Sequence, residues 1–279
     1  MKKIFVLFAV IATCLSVSAQ TGKVFDQLTM KSEILKSDRN FAVYLPADYE
    51  TSQRSYPVLY LLHGAGDNQT GWIQFGEVLQ IADKAICEGK STPMIIVMPD
   101  ADTKVRGYFN TFNGEWKFED YFFQELIPYI EKNYRCRTER NYRAIAGLSM
   151  GGGGTLMYAL HHPELFAAAC PLSAATGGMG RAPQGQKADD PAFVEYQKQH
   201  NAVDLINSLP VEKVKSVRWY IDCGDDDFLY EGNCQLHIAM RKKEIPHEFR
   251  TRDGAHNWTY WRTALPEVLA FVSQSFHQY

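Results

Sequence analysis

The fold that this sequence predicts is α/β, a three-layer sandwich around a mainly parallel sheet. Three observations predict it. Short continuous apolar runs, Val58–Leu62 and Met94–Met98, lack polar alternation, which marks strands buried on both faces. Segments with apolar residues at helical spacing separate such runs, so strands and helices alternate along the chain. The stretch Arg143–Gly151 places an apolar run, Ala144–Ala146, before Gly147-Leu-Ser149-Met-Gly151, and a small-residue run to Ala159 follows. That is the strand, sharp turn and helix of a nucleophile elbow.

The 279 residues, 46% hydrophobic and 22% charged, suffice for one large domain with a buried core. The formal charge of −3, without a long basic block, disfavours nucleic acid as a partner. The 13% aromatic content suits a protein that binds rings or sugars. Residues 1–19 read as a signal peptide: basic Lys2-Lys3, an apolar stretch Ile4–Leu15, and small residues Val17-Ser-Ala19 at the cleavage position. The apolar run is too short for a permanent membrane anchor. Cys14 sits in a poor lipoprotein box, with threonine before it, so lipid anchoring is disfavoured. The expected mature unit is one domain, 20–279, exported to the periplasm or medium. Its five cysteines, an odd number, are expected to be mostly buried free thiols, with Cys223 and Cys234 the first pair to inspect.

In chain order, residues 24–46 read as a strand pair, with Ile34-Leu35 and then Arg39–Leu45 in strands ending at Pro46. Val58–Leu62 feeds His63-Gly-Ala-Gly66. Leu79–Glu88 reads as a helix and Met94–Met98 as the next buried strand. Residues 101–114 form an aromatic, asparagine-containing loop, and Glu115–Lys132 has helical spacing through Phe118, Phe122, Leu126 and Ile130. After the elbow helix comes a strand, Phe166–Leu172. Residues 174–200 break the pattern as an insertion over the sheet's end, with a charged surface helix at Asp189–His200. Val217–Ile221 is a strand, Glu231–Lys243 a helix, His247–Thr251 a strand and Pro266–Phe276 the closing helix.

A serine hydroxyl attacks a carbonyl only when a base takes its proton. That base must come from the same sheet edge as Ser149, and in this architecture the chain order is nucleophile, acid, histidine. Of eight histidines, only His256 follows the last strand in a glycine-containing loop. The acid must lie in the loop after the preceding strand, which holds Asp225, Asp226 and Asp227. Asp227 is best placed to reach back over the edge, with Asp226 as the alternative. Two backbone N–H donors should hold the oxyanion, one from Met150 and one from Ala65. Gly64-Ala-Gly66 lacks the third glycine of a dinucleotide loop, and His-Glu-x-x-His is absent. No cofactor and no metal are called for. Aromatic residues crowd the loops at this edge: Trp72, Tyr108, Phe109, Phe112, Trp116, Trp258 and Trp261. Trp258 and Trp72 are the candidates for substrate binding.

Six pieces carry a family resemblance: Tyr44-Leu-Pro46, Leu61-Leu-His-Gly64, Glu125-Leu-Ile-Pro-Tyr129, Gly147–Gly151, Cys223–Leu229 and Gly254-Ala-His-Asn-Trp258. With them the chain resembles the esterase group that includes esterase D, the feruloyl and acetylxylan esterases of carbohydrate esterase family one, and the mycolyltransferases. The resemblance implies an α/β-hydrolase fold and a Ser-His-Asp triad, and its feruloyl esterase pattern favours Asp227 as the acid. Mycolyltransferases carry Asp-Gly where this chain has His63-Gly64, and the exported location argues against the cytosolic thioesterase role of esterase D. The expectation is a secreted serine carboxylesterase acting on feruloyl or acetyl groups of xylan-type carbohydrates. Acyl transfer to a sugar hydroxyl and general short-chain ester hydrolysis are the alternatives. The partner is a small-molecule or oligosaccharide ester.

Overall fold

A computed structural model describes residues 21–177 and 186–277. The segment 1–19, expected as a signal peptide, lies with Cys14 outside the described residues, as does the glycine-rich part of the expected insertion, 178–185. Eight strands form one sheet: β1 (Lys23–Ser32), β2 (Ser37–Leu45), β3 (Val58–Leu62), β4 (Ile95–Pro99), β5 (Arg143–Leu148), β6 (Ala168–Leu172), β7 (Arg218–Gly224) and β8 (His247–Arg252). Their order across the sheet is β1-β2-β4-β3-β5-β6-β7-β8, and every pairing from β4 to β8 is parallel. The β1–β2 hairpin joins β4 antiparallel at one edge. Ile34-Leu35, expected in a strand, form the hairpin turn instead, where Lys36 takes φ 51°.

The helices are α1 (Gly71–Gln74), α2 (Val78–Cys87), α3 (Phe118–Tyr121), α4 (Ile127–Asn133), α5 (Met150–His161), α6 (Pro191–Gln199), α7 (Ala202–Ser208), α8 (Val211–Lys215), α9 (Tyr230–Lys242) and α10 (Trp258–Phe276). Alternate residues of the central strands divide between two cores. Val58, Tyr60, Leu62 and Ile145 pack against α4, α5 and α9, whereas Leu59, Leu61, Ala144 and Ala146 pack against α2 and α10. The central strands β3, β4, β5 and β6 are buried along their whole length. The sheet's edges differ. β1 alternates exposed and partly covered residues, and β8 carries Glu248, Arg250 and Arg252, charges that discourage pairing with another chain.

Two helical expectations change. The segment expected as one helix over 115–132 is α3, a π turn at Phe122–Leu126, and α4. Pro128 enters at the start of α4, where its missing N–H breaks the regular ladder, and the widened turn absorbs the mismatch. The closing helix starts at Trp258, eight residues before Pro266, because Asn257 caps it by accepting from the Tyr260 N–H at 3.1 Å. Pro266 sits inside this 19-residue helix rather than opening it. α6 begins as its sequence suggests: Asp190 accepts the N–H groups of Ala192 and Phe193, with Pro191 at the first helical position. α7 and α8, which follow, were not foreseen. All five described cysteines are free, but only Cys170 and Cys223 are buried, and Cys87 is exposed. Among the described residues no helix is long and apolar enough to cross a membrane.

Candidate active site

The sheet order reverses at β3: β4 lies on one side and β5 on the other. Such a switch point opens a crevice at the carboxyl ends of the strands. Leu62 pairs with Gly147, so the loops leaving β3 and β5, His63-Gly64-Ala65 and Ser149, emerge side by side. Ser149 has φ 56° and ψ −117°, a conformation that L residues rarely hold. Its backbone is held there by its N–H on the Leu172 carbonyl (2.9 Å) and its own carbonyl on the Gly153 and Ala175 N–H groups. The flanking glycines are steric necessities. A Cβ on Gly147 would lie 2.5 Å from the Gly151 oxygen, and one on Gly151 would lie 2.5 Å from the His63 oxygen.

His256 stands one residue before the cap of α10. Its Nε2 lies 2.8 Å from Ser149 Oγ and its Nδ1 2.8 Å from Asp227 Oδ2. Asp227 is 4% exposed, and its other oxygen accepts the Leu229 N–H at 2.8 Å. Burial raises the cost of charging Asp227, but hydrogen bonds from His256, the Leu229 N–H and Ser173 outweigh it and hold the carboxyl below its usual range. Asp226, the other candidate acid, is exposed and does not reach His256. Its N–H bonds the Gly254 carbonyl, and Asp225 Oδ1 accepts the Gly254 N–H, so this loop is stapled to the His256 loop. Beneath both loops Asp222, fully buried, accepts from Tyr220, Tyr260 and Arg252.

Among the described residues neither the Ala65 nor the Met150 N–H meets a protein acceptor. Met150 opens α5, where the first N–H groups have no helical partner and the helix dipole is positive. The Gly64–Ala65 peptide is fixed from behind. The Gly64 carbonyl accepts from Thr103 Oγ1 (2.7 Å) and His63 Nδ1 (2.9 Å), while His63 Nε2 accepts the Ala101 N–H at 3.2 Å. These partners select the Nδ1–H tautomer, and burial keeps His63 neutral by lowering its pKa against the pull of the Gly64 carbonyl and Asp100. Across a trans peptide the Ala65 N–H points opposite the anchored carbonyl. The sequence flagged His63 only as part of a loop; its part as the buried prop of that peptide was missed.

The aromatic candidates separate. Trp72 is 1% exposed and donates its indole N–H to the Leu62 carbonyl, so it packs under Trp258 edge-to-face and offers no free face to a substrate. Tyr108, Phe109, Trp116 and Trp261 are buried too, and Trp261 donates to Ser173 Oγ at 3.0 Å. Trp258 stays partly exposed, beside Phe75. The aromatic residue that sequence reasoning missed is Phe228, 76% exposed, with its ring centroid 4.4 Å from that of His256. Its place directly after Asp227 was the available signal.

The Putative esterase family profile matches residues 32–272. The chain belongs to that family. Its fold is shared with a solved ferulic acid esterase, 37% identical, at a TM-score of 0.82 over 92% of this chain and 99% of that one. An endo-1,4-beta-xylanase/feruloyl esterase of Xylanibacter ruminicola is 38% identical over 87% of this chain. The chain spans less than a third of the length of the first such relatives, 30% of this one. An acetyl esterase of Caldicellulosiruptor saccharolyticus is 23% identical over 89% of this chain and 97% of its own. The fold is thus the α/β-hydrolase fold of that esterase family.

Proposed function

We propose that this esterase is exported and removes feruloyl or acetyl groups from xylan-type carbohydrates through a Ser149–His256–Asp227 triad. The observation that carries the reading is His256, which bridges Ser149 Oγ and Asp227 Oδ2 at 2.8 Å each. In this mechanism Ser149 Oγ attacks the ester carbonyl carbon and its proton passes to His256 Nε2. The carbonyl oxygen becomes an oxyanion that the Ala65 and Met150 N–H groups receive. Collapse breaks the bond to the sugar oxygen, which takes the proton from Nε2 and leaves an acyl-serine. Water then repeats the sequence in the same site: it gives a proton to Nε2 and attacks the acyl carbon, and collapse breaks the bond to Ser149 Oγ, which takes the proton back from Nε2 as the acid leaves. Asp227 keeps the proton on Nδ1 and stabilises the imidazolium.

Export rests on the signal-like segment at 1–19. The carbohydrate ester rests on the relatives named above and on the aromatic surface at the site. Phe228, beside His256, and Trp258, which packs on Trp261 next to His256, give a flat acyl group or a sugar ring apolar faces near the triad. Phe228→Ala tests the acyl part. The expected result is a loss of about three- to tenfold in kcat/KM on a feruloyl sugar ester, as a single aromatic contact would supply. The acetyl ester of the same sugar should change by less than about twofold. Equal losses on both esters would show that Phe228 only shields His256, and would remove the aromatic-acyl reading.

A further inference from the structure

A second site lies at the far end of the nucleophile's own helix. α5 runs 12 residues from Met150 to His161, so its end is roughly 17 Å from Ser149. There, between α3, the end of α5 and α6, is a cavity of 390 Å³ that the triad does not touch. Glu119 lines it and is 8% exposed. One of its oxygens, Oε1, meets His161 Nδ1 at 2.7 Å, with His162 Nε2 at 3.6 Å. Burial opposes its charge, but the hydrogen bonds and charges of His161 and His162 prevail and hold the Glu119 carboxyl down to about 2. Its second oxygen, Oε2, has no hydrogen-bond partner among the described residues and is not sealed off from the cavity. A carboxylate oxygen that opens on a cavity with no protein donor of its own is a strong acceptor for a donor that enters there.

The rest of the lining says which donor. Phe112 and Tyr196 pack edge-to-face in the wall, and Asp120 and exposed Gln124 add polar groups. No lysine or arginine is among the described lining residues, which disfavours phosphates and other anions. A metal ion is disfavoured as well. The ligating atoms of Glu119, His161 and His162 do not all come within 4.8 Å of one another, and His161 Nε2 is engaged by the Gln199 carbonyl at 2.9 Å. Aromatic faces combined with acceptors and amides suit a neutral ring that carries hydroxyl groups.

We infer that this cavity binds a sugar ring of the polysaccharide main chain, with Glu119 Oε2 accepting from its hydroxyl groups. The sugar's identity rests on the carbohydrate-ester reading above. The site would hold an unesterified stretch of chain while Ser149 works on an ester some distance along it. A polymer substrate would then gain affinity from two points of attachment, and a small ester would not.

The test is calorimetric titration of the whole chain with an unesterified xylo-oligosaccharide, in wild type, Glu119→Gln and Gln124→Ala. Turnover of a small soluble ester is followed in parallel. Wild type should bind. Glu119→Gln should weaken binding about tenfold or more, the scale of a lost charged hydrogen bond. Gln124→Ala, at an exposed position, should weaken it about threefold, a neutral contact. Both variants should keep small-ester kcat/KM within about twofold, since neither touches the reacting atoms. No binding by wild type, or equal affinity in wild type and Gln124→Ala, overturns the site, even if Glu119→Gln fails to fold. Binding at the cavity by a protein that releases no acyl group from sugar esters would instead count against the function proposed above.

Discussion

Ser149→Ala removes ester turnover, by about 10⁴-fold or more, and leaves the fold intact. Only Oγ is lost. The strained φ of 56° persists with the same Cβ, and the hydrogen bonds that hold the residue are made by its backbone. The glycines that accommodate the turn are untouched, so the melting temperature should move by no more than about 2–4 °C. Residual activity would come from the Ala65 and Met150 N–H groups and from substrate binding alone. Turnover and a thermal melt on the same preparation check this. A folded variant with near-wild-type turnover removes Ser149 from the mechanism.

Asp227→Asn should cost almost as much, on the order of 10⁴-fold in kcat. An asparagine amide can present N–H to His256 Nδ1, and the imidazole then carries its proton on Nε2, facing Ser149, where it cannot accept another. Asp226→Asn should stay within a few-fold, because Asp226 is exposed and its contact with the His256 loop is through backbone N–H. The reverse order would move the acid to position 226. The substitution also has a pH signature. The folded protein holds Asp227 below its ordinary value, so its charge contributes stability above the unfolded pKa of ~3.9. That contribution is lost as pH falls through the lower folded value. Wild type should therefore lose stability in acid more steeply than Asp227→Asn.

Much of the site could be read from the residues because its chemistry constrains local sequence. Glycine at 147 and 151 is the only way to bring the helix start against β3, and buried parallel strands leave continuous apolar runs. His256 emerged by elimination because the carboxyl edge of a parallel sheet collects only certain loops. What stayed hidden depends on contacts distant in sequence. Nothing local distinguishes Trp72, packed under Trp258, from an aromatic face open to substrate such as Phe228. Pro266 suggested a helix start because a proline normally opens a helix, whereas Asn257, capping nine residues upstream of Pro266, decides it. The Nδ1–H tautomer of His63 depends on the Ala101 N–H that its Nε2 accepts, 38 positions away.

The central claim is that this esterase works on carbohydrate esters, and its most direct test compares two substrates. The measurement is kcat/KM of the wild-type protein on a feruloyl or acetyl xylo-oligosaccharide against kcat/KM on a long-chain acyl ester of a simple alcohol. The account predicts a clear preference for the sugar ester, because exposed Phe228 beside His256 and partly exposed Trp258 offer flat aromatic surface on which a sugar ring or a feruloyl group can stack. Higher efficiency on the long-chain ester would contradict the carbohydrate reading.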